Sequence, residues 1–321
     1  MKNILVIKLG ALGDFIYSFG AMAAIRRAHP NDHITLLTTK PFVKMAEASH
    51  YFDAVHVDDK PKALQIGKWF SLRSWLNRGN FFRVYDLQNN DRTSIYLKLF
   101  SDKPEWVGAA KGATHRNDSP ERVTGHAFHG HAQTLSLAGI NDVEIDPLEW
   151  MKSDISTYGL QSPYVVLVAG SSPQHPEKRW PVEYFRTLAS KLLRNGYQPV
   201  LIGTAAEAEV NQTIARGLEG VVDLTGKTGL FDLPALARGA SGAIGNDTGP
   251  IHIMCVTGVP SVVLFCSQKS NIKKHGPQGA RVVALEENDL SLIKPETVLE
   301  KFFAFQDAKE SASALAYSQN A

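Results

Sequence analysis

Apolar residues come along this chain in short unbroken runs, separated by longer stretches in which they recur every three or four positions. In the first half the runs are NILVIKL (3–9), HITLLTT (33–39), AVHVD (54–58), FRVYDL (82–87) and EWVGA (105–109). In the second they are YVVLVAG (164–170), QPVLIG (198–203), VVDLTG (221–226), GAIGND (242–247), SVVLFC (261–266) and RVVAL (281–285). A strand covered on both faces reads as a continuous apolar run rather than as an alternation. Among the intervening stretches, IYSFGAMAAIRRAH (16–29), VEYFRTLASKLLRNG (182–196) and EAEVNQTIARGL (207–218) carry helical spacing, the second stopped by Asn195-Gly196. The pattern predicts an α/β fold of parallel sheets with helices on both faces.

It occurs twice. The break is NDVEIDPLEWMKSDISTYGLQSP (141–163), polar and carrying Pro147 and Pro163. Two domains are expected, 1–150 and 151–306, followed by a small, polar tail at 307–321 that should fray. A length of 321 residues at 44% hydrophobic composition suits two domains of about 150 residues. Open parallel sheets take ligands beyond the carboxyl ends of their strands, so a cleft between two such domains and a nucleotide or phosphate ligand are the first expectations.

Charge and composition narrow the classes. With 34 basic against 32 acidic residues the net charge is +2, and nothing global points to nucleic acid. Cys255 and Cys266 lie in apolar runs without metal or redox spacing, which predicts buried thiols in a reducing compartment. The first apolar run is broken by Lys8 and has no signal-peptide pattern, and no stretch of about 20 apolar residues appears. A cytoplasmic protein is expected, with room for peripheral contact at the inner face of a membrane. One segment stands apart. Residues 60–122 hold twelve Lys or Arg and six Asp or Glu, together with Trp69, Phe70, Trp75, Phe81 and Phe82. It reads either as a solvated face over an ordinary core or as a surface for an anionic acceptor or an anionic membrane.

Three stretches carry candidate chemistry. KLGALGDF (8–15) bends from a strand into a helix with Gly10, Gly13 and Asp14, and lacks the third glycine of a dinucleotide fingerprint. Asp14 is either a helix cap or a general base, with the glycines admitting an acceptor to the backbone. GSSPQHPEKRWPVEYF (170–185) sets Ser171, Ser172, Lys178 and Arg179 between a strand end and a helix start, an arrangement suited to phosphate, with Pro181 fitting the helix's first turn. GNDTGPIH (245–252) sets Asp247, Thr248 and Gly249 before another helix; Asp247 either bonds sugar hydroxyls or caps, and His252 reads first as structural. LTGKTGLFDL (224–233), with Lys227 and Thr228, offers a glycine-rich rest for a base or ribose, and Glu207 is either a ribose acceptor or a helix-start acid. His126, His129 and His131 lack a partner at metal spacing, so no metal site is expected, and there is no P-loop or G-x-S-x-G elbow.

Together, ILVIKLGALGDFIYSFGAM, PEKRWP, LTGKTGLFDLPAL and GNDTGPIHIMCVTGVPSVVLF resemble glycosyltransferase family 9, the ADP-heptose:lipopolysaccharide heptosyltransferases, over about residues 1–300. The resemblance implies a GT-B fold, two Rossmann-like domains facing across a cleft, acceptor on the first and nucleotide-sugar on the second. It implies inverting, metal-independent transfer without a cofactor, from ADP-heptose to a lipopolysaccharide-type anionic glycolipid. Asp14 matches the family's base, Lys178 its donor-phosphate lysine, Asp247, Thr248 and Gly249 its D-[TS]-G segment, and Glu207 an acid near the donor ribose. YSFGAM and FCSQKS depart from the family's usual wording and leave the sugar and acceptor open. A GT-B-like sugar-nucleotide epimerase and a non-catalytic nucleotide-sugar-binding protein are the alternatives.

Overall fold

The computed structural model describes residues 1–172, 174–268 and 271–319, with side chains described as far as residue 308. Pro173 of the 170–185 stretch, Lys269 and Ser270 of FCSQKS, and the last two residues of the tail lie outside the described residues. The chain divides into two compact units, Met1–Asp146 and Pro147 onward.

The first unit runs β1 (Asn3–Ile7), α1 (Leu12–Ala28), β2 (His33–Thr38), α2 (Val43–Ser49), β3 (Ala54–Val57), α3 (Ile66–Arg78), β4 (Phe81–Asp86), α4 (Asp91–Leu97), β5 (Glu105–Gly108), β6 (His115–Arg116), α5 (Pro120–Thr124) and α6 (Ala127–Ser136). The second runs β7 (Tyr164–Val168), α7 (Val182–Arg194), β8 (Gln198–Leu201), α8 (Ala208–Ala215), β9 (Val222–Asp223), α9 (Asp232–Gly239), β10 (Gly242–Asn246), α10 (Gly249–Val256), β11 (Ser261–Cys266), α11 (Ile272–His275), β12 (Val282–Glu287) and α12 (Pro295–Gln319). The strands form two six-stranded parallel sheets, ordered β3-β2-β1-β4-β5-β6 and β12-β11-β10-β7-β8-β9. In each, the order reverses at one place: between β1 and β4, and between β7 and β10.

The central strands are buried on both faces, as the unalternated runs require. Ile4, Leu5, Val6 and Ile7 are wholly buried, and so are Val165, Val166 and Leu167. Helix α7 shows the outer-layer pattern, burying Phe185, Leu188, Ala189 and Leu192 at spacings of three and four. Cys255 and Cys266 are free and buried, and burial pushes the Cys255 thiol up to about 12.

Several expectations are corrected. Helix α1 begins at Leu12, four residues earlier than expected, because the chain turns at Gly10, whose φ of +128° favours glycine. Pro181 is the N-cap of α7 rather than its first residue. Helix α12 runs on past Asp307 to Gln319. The two-residue strand β6 has no apolar run to announce it.

Helix α1 is buried nearly all round, from Phe15 to Met22 and again at Ala24 and Ile25. Gly20 faces the backbone of the connection after α6, where a Cβ would lie 1.9 Å from the Glu144 carbonyl oxygen. Alanine gains roughly 1 kcal/mol of helix propensity over glycine. A backbone oxygen at that distance does not yield as a side chain would, so overpacking should win. Gly20→Ala should lose about 1–3 kcal/mol of unfolding free energy. Urea denaturation measures this, and a stability equal to or above the parent's would show that the 144 segment gives way.

Candidate functional site

Where strand order reverses, the segments leaving two adjacent strands diverge and open a crevice at their carboxyl ends. Both crevices of this protein hold polar side chains.

In the first unit the crevice lies between β1 and β4. Beside it is a cavity of about 450 Å³ lined by Leu9, Gly10, Ala11, Thr39, Pro41, Phe42, Lys60, Gln88, Asn90 and Arg92. Gln88 Oε1 accepts from the Leu9 amide at 2.8 Å, and Lys60 Nζ donates to the Leu9 carbonyl at 3.0 Å. Phe42 stacks on Phe15 at 4.2 Å. Asp14 is half-buried, the third residue of α1; the N-cap is Ala11, with no side-chain cap bond, so Asp14 does not hold the capping position.

Beneath this surface lies a group of buried charges. Lys8 is 3% exposed, and its ammonium faces the Leu87 carbonyl at 3.4 Å. Burial pushes Lys8 down to about 8, against the opposing pull of Asp14 and Asp86. Asp86, wholly buried, accepts from the Gln88 and Asn89 amides at 3.0 and 2.9 Å. Burial raises it to about 6 despite those bonds and Lys8. His131 Nε2 meets the Leu87 carbonyl at 2.9 Å, and burial, reinforced by Lys8, keeps the ring neutral with a pKa of about 3. His126 instead caps α6, accepting from the Phe128 amide. Lys8, Asp86 and His131 were not among the residues expected at a site. The signal for Lys8 and Asp86 was a charge interrupting or ending an apolar run, while His131 stood out only within the histidine group GHAFHGH.

In the second unit Asp247 follows β10 and Lys178 follows β7. Lys178 Nζ donates to Asp247 Oδ2 at 2.6 Å, and His252 Nε2 meets Asp247 Oδ1 at 2.8 Å. Burial alone would raise the Asp247 carboxyl; His252 and Lys178 outweigh it and hold the group below the usual carboxylate range. Asp247 is thus neither a helix cap nor a lone acid, and His252 is its fixed partner. Thr248 occupies the N-cap of α10 without a side-chain cap bond, Gly249 opens the helix, and Pro250 lies in its first turn.

The other expected residues have structural ties. Ser171, 5% exposed, bonds the His175 carbonyl and receives Arg179 on its hydroxyl and carbonyl at 3.2 and 3.3 Å, so Arg179 anchors the loop. Glu207 completes a capping box with Thr204 and abuts Gly170, where a Cβ would lie 2.5 Å from its Cγ. Lys227 bonds the Asp223 carbonyl at 2.9 Å, and Thr228 is half-buried beside it. Asn246 holds this end together, donating to the Ala169 carbonyl at 2.7 Å and accepting from the Trp180 amide at 3.1 Å.

Residues 133–300 match the family model for glycosyltransferase family 9 (heptosyltransferase). Lipopolysaccharide heptosyltransferase 2 of Salmonella typhimurium is 30% identical over 314 residues, covering 88% of this chain and 88% of that one. The chain belongs to glycosyltransferase family 9. As a member it is a glycosyltransferase, and its fold is GT-B. A family 9 structure from Veillonella parvula aligns over 94% of this chain and 95% of that one, with TM-score 0.79 and 27% identity. The E. coli ADP-heptose lipopolysaccharide heptosyltransferase II shares the fold, with TM-score 0.72 and 20% identity over 97% of this chain and 100% of that one.

The buried carboxyl of this transferase gives a pH test. The folded protein holds a proton on Asp86 up to about pH 6, whereas the unfolded chain releases it near 3.8. The folded state therefore binds more protons in that window, and this group lowers stability as pH rises through it. Asp86→Asn, which can still accept from both amides, should remove that fall. Urea midpoints for both proteins across the window decide it; parallel curves would show that Asp86 does not titrate there.

Proposed function

We propose that the protein transfers a heptose from ADP-heptose to a lipopolysaccharide core or related anionic glycan, inverting the anomeric centre. The acceptor is lipid-borne, so the work is done at the cytoplasmic face of the inner membrane. The observation that carries this reading is the chemistry at the two crevices: on one unit a cavity rimmed by Lys60 and Arg92 and lined by Gly10 and Ala11, with Asp14 in the helix turn that follows them, and on the other a lysine anchored to the aspartate just before a helix start. The first suits a hydroxyl-bearing anionic acceptor and the second a diphosphate.

Transfer requires the acceptor held by the first unit to meet the donor held by the second. The acceptor oxygen attacks the anomeric carbon from the face opposite the nucleotide. The bond to the diphosphate breaks, its electron pair leaving with ADP, and Asp14 takes the hydroxyl proton, a step typically worth about 10²- to 10⁴-fold. Lys178 has three donor hydrogens, of which Asp247 uses one. The others, with the amides at the start of α10, meet the charge that grows on the leaving phosphate. Glu207, Lys227 and Thr228 border the position for ribose and base.

Asp14→Asn should all but abolish transfer while leaving ADP affinity close to that of the parent; folded protein with ordinary turnover would remove Asp14 as the base. Lys178→Ala should weaken ADP about 10- to 100-fold and transfer by more, with adenosine binding unchanged. Calorimetry with both ligands reads this, and equal loss for both would reassign Lys178 to the fold. EDTA should leave the rate intact, since Lys178 and α10 supply the charge at the phosphates; a loss restored by magnesium would overturn that.

A further inference from the structure

Helix α3 has two apolar lines where its own unit needs one. Leu72 and Leu76 are buried, with Trp69 and Trp75 packed against the same core, which accounts for the inward side. Ile66 and Phe70, four residues apart, stack along a different side and are 63% and 64% exposed. Leu64, on the turn before the helix, is 93% exposed. That turn is bonded at both ends: the Lys62 amide donates to Gln65 Oε1 at 2.9 Å, and the Gln65 amide donates to the Lys62 carbonyl at 2.9 Å. Trp69 Nε1 adds a bond to the same carbonyl at 3.1 Å. A single exposed leucine is ordinary. Three large apolar side chains within seven residues, held out by a bonded turn, make a patch that asks for a partner.

Along the chain, the charges interleaved with the patch are basic. From Lys60 to Arg73 the chain carries Lys60, Lys62, Lys68 and Arg73 and no acid. The nearest acids along the chain are Asp59, paired with Lys68 at 3.5 Å, and Asp58, which accepts from the Tyr96 hydroxyl. Apolar side chains interleaved with cations fit neither a bare polyphosphate, which offers nothing to the leucine, nor a neutral protein face, which leaves the cations unanswered. They fit a bilayer with anionic head groups, where apolar side chains enter the acyl boundary and lysines meet the head groups.

We infer that the turn Lys62–Gln65 and the outer line of α3 are a docking surface for an anionic lipid bilayer, entered by Leu64, Ile66 and Phe70 and held by Lys62 and its basic neighbours. The turn begins two residues after Lys60, which lines the first unit's cavity, so docking brings that cavity to the head-group layer. It serves the lipid-borne acceptor proposed above and rests on that reading for its purpose.

The test uses the full chain with vesicles of phosphatidylcholine alone or mixed with phosphatidylglycerol, read by co-sedimentation. The protein should bind the mixed vesicles, and more weakly as salt is raised. The double variant Leu64→Ser, Phe70→Ser should bind about 10- to 100-fold more weakly, and Lys62→Ala about fivefold more weakly. Both should keep the parent's melting temperature and its transfer rate on a lipid-free acceptor glycan. Binding indifferent to anionic lipid, or unchanged in the double variant, overturns the docking surface. So does a parent dimer that Phe70→Ser converts to monomer in the absence of vesicle binding, which assigns the patch to a second copy. Vesicle binding with no transfer to a lipopolysaccharide-type glycan upholds the docking and fells the proposed acceptor instead, so the two failures are told apart.

Discussion

In a parallel sheet of this order, right-handed crossovers send the chain to one face on one side of the reversal and to the other face on the other side. The strands that flank the reversal therefore have no connecting segment packed over the gap between them. The gaps after β1 and β4, and after β7 and β10, are forced by topology before any side chain is chosen. What the sequence adds is the furniture: an acid, a lysine and small residues that leave backbone accessible. Asn246 shows how much fixing this takes, since one buried amide ties the loop after β7 and the indole-bearing turn before α7 to the end of β10.

Much of the architecture was legible because burial on both faces leaves a plain mark. Ile4 to Ile7 and Val165 to Leu167 could be read as strands with no knowledge of their partners. The boundaries were less legible where a backbone feature set them. Gly10 turns the chain before α1, and nothing in the apolar spacing marks that turn. Strand β6 is two residues long and pairs only with β5, so its existence depends on the neighbour rather than on its own composition.

The second unit's polar residues were visible as motifs at strand ends, yet their bonding was not. Lys178 and Asp247 lie far apart in the chain, and only the adjacency of β7 and β10 brings them to 2.6 Å. His252 reaches the same carboxylate from one turn along α10. The first unit was harder. Lys8 and Asp86 sit in or at the end of apolar runs, where a lone charge reads as a strand end, and His131 lies on a helix in a histidine-rich stretch. Their meaning lies in sharing one buried place around the Leu87 carbonyl, which three separate segments must build.

That buried place also constrains how the protein can change over generations. Lys8 and Asp86 are both buried and each favours the charged form of the other, so a change at either position is felt at both. Neither site can drift alone without passing through a destabilised intermediate, whereas the surface around Lys60 can be rewritten one residue at a time. The rim of the first unit can therefore change piecemeal while its floor is inherited as a block.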